Sequence, residues 1–328
     1  MPRKLLPLPA LLSCALACGA AASAAAERTV QAPGPLAPLQ GTLAGPGTPA
    51  APVVLVIPGS GPTDRDGNAP AAGLQAAPYR RLAQALAARG ITTVRIDKRG
   101  MFGSAAAVAD ANAVTVEDYA DNVHGWVRAL RGDTGAGCVW LRGHREGGLV
   151  ALAAARRGTE GLCGLVLVAT AGRPLGQVLR EQLQAHPANG PLLGQALPAI
   201  DALEAGRRVD VSALHPALRP LFHPRVQGFL VSSFALDPAQ LLAGVQLPAL
   251  VLQGGRDLQV GVADARRLAA AAPGSRLVLL PAANHVLKAV PADDRAANLA
   301  AYGDARLPLA AGVAEAIADF VAAPGRTR

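Results

Sequence analysis

Aromatic residues make up only 3% of this 328-residue chain, five Phe, three Tyr and two Trp, although 51% of it is apolar. No basic run with interleaved aromatics is present, and no nucleic-acid motif, so nucleic acid is not an expected partner. The net charge of +8 falls to +6 once Arg3 and Lys4 are set aside, and the other arginines are scattered; the basicity is composition, not a binding strip. Cysteine is scarce as well: beyond residue 26 only Cys138 and Cys163 remain. After that point no apolar run approaches the roughly 20 residues that span a bilayer. Metal-ligand spacing is also missing, since His144, His186, His215 and His223 stand apart. The stretch Asp64-Arg65-Asp66-Gly67-Asn68 looks like a calcium loop, but Ala69 and Gln75 occupy the places of its required glycine and glutamate. It reads as a polar loop beside a pocket, and no metal or cofactor is expected.

What the chain does have begins with an export signal. Arg3 and Lys4 form a basic start, Leu5 to Leu16 an apolar stretch, and Ala24-Ala25-Ala26 a small-residue cleavage site before Glu27. The expected location is periplasmic or secreted. Leu11-Leu12-Ser13-Cys14 offers the alternative of a lipid anchor on Cys14.

The remaining 300 or so residues are enough for one large α/β core with an insertion. Weak strand signals at Arg28–Gln31 and Leu36–Leu43 precede Val53–Ile57, an uninterrupted apolar run stopped by Pro58-Gly59. Such a run marks a strand buried on both faces. From there helices (79–89, 116–130, 146–156) alternate with strands (91–96, 138–141, 165–169), which predicts a mostly parallel, doubly wound sheet. The pattern breaks from Arg173 to Val245, a Pro-, Gly- and Arg-rich segment too long for a connection. It resumes with a strand at 247–253, a helix at 262–271, a strand at 276–280 and a final helix at 309–321. The expected organisation is a core of residues 27–172 and 246–328 with a helical cap insertion at 173–245, over the sheet edge where ligands bind in open α/β folds. Cys138 and Cys163 stand before consecutive strands. If those strands are neighbours, an oxidising compartment favours a disulfide; otherwise two free thiols remain.

Five motifs follow these elements in order: Gly59-Ser60-Gly61-Pro62, Asp97-Lys98-Arg99-Gly100, Gly143-His144-Arg145-Glu146-Gly147-Gly148, Gln253-Gly254-Gly255-Arg256-Asp257 and Asn284-His285-Val286-Leu287-Lys288. Together they resemble the α/β-hydrolase superfamily, and within it look closest to exported bacterial hydrolases of the serine-aminopeptidase-like (S33-type) branch. That resemblance implies an α/β-hydrolase fold and the order nucleophile, acid, histidine. It makes Asp257 the orienting acid, His285 the general base, and the backbone N–H groups of Ser60 and Glu146 the oxyanion-hole donors. The implied partner is a small ester- or peptide-like molecule.

The departure is at residue 145. The superfamily's strand-to-helix turn lifts a serine hydroxyl over the sheet; here both flanking glycines remain and arginine stands at the nucleophile position. A guanidinium stays protonated at ordinary pH and donates hydrogen bonds, but it cannot attack a carbonyl. Acyl transfer is therefore expected to be lost or strongly reduced, with binding of a small anion at Arg145 as the alternative. Ser104 reads as a loop or capping hydroxyl.

Overall fold

A computed structural model describes residues 27–323. The expected signal segment, with Cys14 inside it, lies outside the described residues. Strands β1 (Glu27–Ala32) and β2 (Leu39–Ala44) pair antiparallel at one edge of the sheet. β2 starts at Leu39 and not at Leu36 because Pro38 has no N–H to give to a ladder. The other six strands run parallel to one another: β3 (Val53–Ile57), β4 (Thr92–Ile96), β5 (Val139–His144), β6 (Leu162–Val168), β7 (Ala249–Gly254) and β8 (Arg276–Leu280). Their spatial order is β1-β2-β4-β3-β5-β6-β7-β8. This is the mostly parallel, doubly wound sheet of the α/β-hydrolase fold.

Alternation along β3 shows how the two faces are filled. Leu55 and Ile57 join one apolar layer with Tyr119, Val123 and Trp126 of helix α2 (Val116–Thr134) and Leu149 and Leu152 of α3 (Glu146–Arg157). Val54 and Val56 join the opposite layer with Tyr79, Leu82 and Leu86 of α1 (Pro78–Ala87). Both layers are closed to water, which is why the strand needs no polar residue. Helix α2 is bounded by its own chemistry: Thr115 and Asp118 form a reciprocal capping box, and Gly135 ends the helix at φ 74°.

Between β6 and β7 lie α4 (Leu175–Ala185), α5 (Gly190–Glu204), α6 (Gln227–Phe234) and the short α7 (Pro238–Ala243). This helical insertion has an apolar centre of its own, in which Ile200, Leu203, Phe222 and Phe234 are fully or almost fully buried. Its helices were not separable in the sequence because their apolar faces are satisfied by one another and not by the sheet. The chain returns through β7, α8 (Val262–Ala271), β8, α9 (Arg295–Ala300) and α10 (Val313–Val321), which completes the layer beside α1.

Cys138 and Cys163 form a disulfide with a Cα–Cα distance of 5.2 Å. Cys163 is the second residue of β6 and does not precede it as expected. The bridge joins neighbouring strands across 25 residues of sequence, a loop for which chain entropy corresponds to about 3 kcal/mol.

Candidate active site

Gly143 and His144 close β5, Glu146 opens α3, and Arg145 alone makes the turn, with φ 53° and ψ −115°. A side chain in that backbone region costs of order 1–3 kcal/mol, so the surroundings must hold it there. They do so by close approach. A Cβ on Gly143 would lie 2.2 Å from the Gly147 carbonyl oxygen, and one on Gly147 would lie 2.3 Å from that of Ile57. The Arg145 N–H is tied to Val168 O on the neighbouring strand at 2.9 Å.

β7 and the loop after β8 bring Asp257 and His285 to the same edge. His285 Nδ1 lies 2.8 Å from Asp257 Oδ2; a carboxylate only accepts, so Nδ1 carries a proton, while Nε2 has no hydrogen-bond partner among the described residues and the imidazole lines the cavity. Asp257 is fully engaged: Oδ1 accepts from the N–H groups of Gln259 (2.7 Å) and Val260 (2.9 Å), and Oδ2 also accepts from Gln253 Nε2 (3.2 Å). Burial alone would raise its pKa, but the charge and hydrogen bond of His285 and the two N–H donors outweigh it and hold the carboxyl below its ordinary range.

The loop after β3 supplies Ser60. Neither the Ser60 N–H nor the Glu146 N–H has an acceptor within the described chain, and both residues border the cavities that Arg145 lines. One residue of the Asp97-Lys98-Arg99-Gly100 motif, given no role by the sequence, orders this side. Lys98 Nζ, buried at the end of β4, donates to Gly59 O at 2.7 Å and to Glu146 Oε1 at 3.1 Å, and sits 5.4 Å from the centre of the Tyr119 ring. Gly59 C=O and Ser60 N–H belong to one peptide plane, so a bond to the first aims the second the opposite way. A signal was present, since the chain has three lysines among 31 basic residues. A compact ammonium can serve two acceptors that a planar guanidinium would not fit.

A second buried chain of hydrogen bonds runs beneath the turn. The carbonyl of His285 only accepts, so His144 Nε2 donates to it (3.0 Å); His144 Nδ1 then accepts from Tyr79 OH (3.0 Å), whose oxygen accepts from Gly59 N–H (3.2 Å). Burial, followed by the charges of His285 and Arg142, holds the His144 pKa well below its ordinary value, which keeps this tautomer neutral. Arg142 itself is wholly buried, with Nε, Nη1 and Nη2 unbonded and its guanidinium 5.0 Å from the Tyr79 ring centre. Burial pushes its pKa down to about 10, so it remains charged at neutral pH.

The residues singled out in the sequence therefore fall as follows. Arg145 and His285 line one cavity of about 610 Å³ with Ser60, Tyr79 and Tyr302, and Asp257 lies behind His285. Arg145, Ser60 and Glu146 line a second cavity of about 420 Å³ that reaches under the helical insertion. Ser104 stands away from both: its Oγ donates to Asp97 O and accepts from Gln40 N. In the polar loop 64–68 Arg65 pairs with Asp97 and Asp66 with Arg80 and Arg95, Asp64 accepts from the N–H groups of Asp66 and Asn68, and among the described residues no cluster suits a metal. Among the described residues the Arg145 side chain has no hydrogen-bond acceptor and no carboxylate partner; Glu146 is taken by Lys98 and Asp257 by His285.

Comparison with known proteins agrees with this geometry. The family model described as serine aminopeptidase, S33, matches residues 72–288, about two thirds of the chain. Esterase EstD of Thermotoga maritima is 26% identical over 214 residues, which are 65% of this chain and 48% of that esterase, so the match spans about half of the relative's length. Among solved structures, a thermophilic esterase from Thermogutta terrifontis superposes with a TM-score of 0.51 at 22% identity, covering 79% of this chain and 92% of that one. A hydrolase from Oleispira antarctica gives 0.52 at 16% identity, covering 86% and 93%. These two likenesses establish the fold.

Proposed function

The chain belongs to the serine aminopeptidase S33 family of α/β-hydrolases, and from that premise we propose that it is an ester- or peptide-hydrolase scaffold whose acyl transfer is abolished or severely reduced by Arg145. The observation that carries this reading is the strained turn at Arg145, held beside a complete Asp257–His285 pair and two free N–H donors. An acyl-transfer site needs an orienting acid, a base, oxyanion donors and an attacking oxygen, and on this reading the chain lacks the last. Loss of a nucleophilic serine typically lowers turnover about a millionfold, while binding and oxyanion donors leave some rate over water.

The test is Arg145→Ser, read by p-nitrophenyl ester hydrolysis and fluorophosphonate labelling. The revertant is expected to label and to hydrolyse the ester at least a thousandfold faster than the natural chain. An inert, folded revertant would overturn the proposal.

A second reading, a non-catalytic protein that binds a small anion, is favoured by one observation: Arg145 lines a cavity and its guanidinium has no partner among the described residues. Location in an oxidising compartment is supported by the Cys138–Cys163 disulfide and by the basic, apolar and small-residue order of the first 26 residues. N-terminal sequencing of the exported chain should then begin at Glu27. A start at Cys14 would indicate the lipid anchor instead.

A further inference from the structure

We propose that the ligand of this site is an amphiphilic monocarboxylate, with its carboxylate on Arg145 and its hydrocarbon tail in the 420 Å³ cavity under the helical insertion. The inference rests on the reading of Arg145 as a free cation in a disabled hydrolase site, and it deepens that reading by naming the ligand's chemistry.

Charge decides the head group. Three cations border the cavities around the turn: Lys98, Arg173 and Arg145. Lys98 is paired with Glu146, and Arg173 with Asp264 and Glu181. The remaining carboxylate at the site, Asp257, gives all of its acceptor capacity to His285, Gln253 and two backbone N–H groups. An arriving anion therefore meets one uncompensated positive charge and no unpaired negative one. The planar fork of a guanidinium matches a carboxylate in two parallel hydrogen bonds.

The walls decide the tail. Beyond Arg145 the cavity is faced by Leu175 and Leu179 of α4, Phe229 of α6, and Leu221 and Val226 before α6, each half-buried and so presenting apolar surface to the space. Leu175, Leu179, Leu221 and Val226 pack against the insertion's own closed centre and Phe229 against the main core, and their remaining surface lines the cavity. The charged groups of the lining are Arg145, Lys98 and Glu146 at the turn; away from it the polar lining is the uncharged Asn112, Gln182 and Tyr119, set among the apolar side chains. A cavity with its charges at the turn and a mainly apolar wall fits a molecule with a charged head and a hydrocarbon tail.

The experiment is calorimetric titration of the natural protein with acetate, hexanoate, octanoate and octan-1-ol, repeated on Arg145→Ala and Leu179→Gln. Each two added methylenes should tighten carboxylate binding about tenfold. Octan-1-ol should bind at least tenfold more weakly than octanoate. Arg145→Ala should weaken octanoate by ten- to a hundredfold, and Leu179→Gln should flatten the chain-length series while leaving acetate unchanged. Octanoate binding no tighter than acetate, or equal binding of octanol and octanoate, overturns the inference without recourse to any variant. Hydrolysis by Arg145→Ser reports on the disabled-hydrolase reading separately, so a revertant that works beside a natural chain that ignores carboxylates would sink this inference alone.

Discussion

Arg142 and Arg145 stand three residues apart, on one strand and the turn that follows it, and neither has a carboxylate partner among the described residues. Arg142 is sealed between the sheet and α1, with only the face of Tyr79 to meet its charge. Arg145 opens onto two cavities. An unpaired cation without access to solvent or ligand is a standing cost, because desolvation is not repaid by any partner. The same cation at a cavity is a capacity, since its partner can arrive from outside. Whether an unpaired charge destabilises the fold or enables binding thus depends less on its partners in the chain than on the space around it.

The largest effect that would break this comparison concerns the donor side of the site. In the Arg145→Ser background, Lys98→Met should lower kcat about a hundred- to a thousandfold with KM little changed, because the Gly59–Ser60 peptide loses the bond that aims its N–H. Unaltered kcat would mean that the loop is held by Tyr79 alone.

Next in size is the sealed arginine. Arg142→Met keeps the length of the side chain and removes the charge, and should raise stability by about 1–3 kcal/mol in denaturant titration, after loss of roughly 2 kcal/mol of stacking on Tyr79. Arg145→Ala, in contrast, should stay within about 0.5 kcal/mol. Equal responses at the two positions would erase the distinction.

Arg145→Gly separates the backbone from the side chain. Glycine adopts φ 53° freely, so this variant should be about 1 kcal/mol more stable than Arg145→Ala by thermal unfolding. The last effect is a pH slope from Lys288, buried in the loop that carries His285. Burial and the nearby Arg81 push its pKa down to about 8, from an ordinary 10.5. Between those values the unfolded chain holds a proton that the folded chain has released, so stability should rise with pH from about 8 to 10. Lys288→Met should flatten that rise.

Much of this architecture was legible before any coordinates. β3, α8 and β8 have the bounds expected from apolar runs and turn residues: β3 is buried on both faces and stops at Pro58, α8 begins after Gly261, and β8 ends before Pro281. The order of Arg145, Asp257 and His285 along the chain pointed to one sheet edge, and the structure places them there. What could not be read depends on adjacency across the sheet. Lys98 reaches Gly59 only because β4 lies beside β3, and His144 reaches the His285 carbonyl only because the last loop folds over β5. Arg142 gave no warning either, since one arginine before a glycine reads as a strand end and not as a sealed charge.

The disulfide has a consequence for how this molecule should be handled. It fastens β5 to β6 at the end opposite the turn, while the Arg145 N–H clips the same two strands together at the other end. The strand ladder between them thus has a covalent tie beyond one end and an amide tie beyond the other. Material produced in a reducing cytosol would keep the ladder and the amide but lose the covalent tie, so the conformation of residue 145 is best judged on oxidised protein.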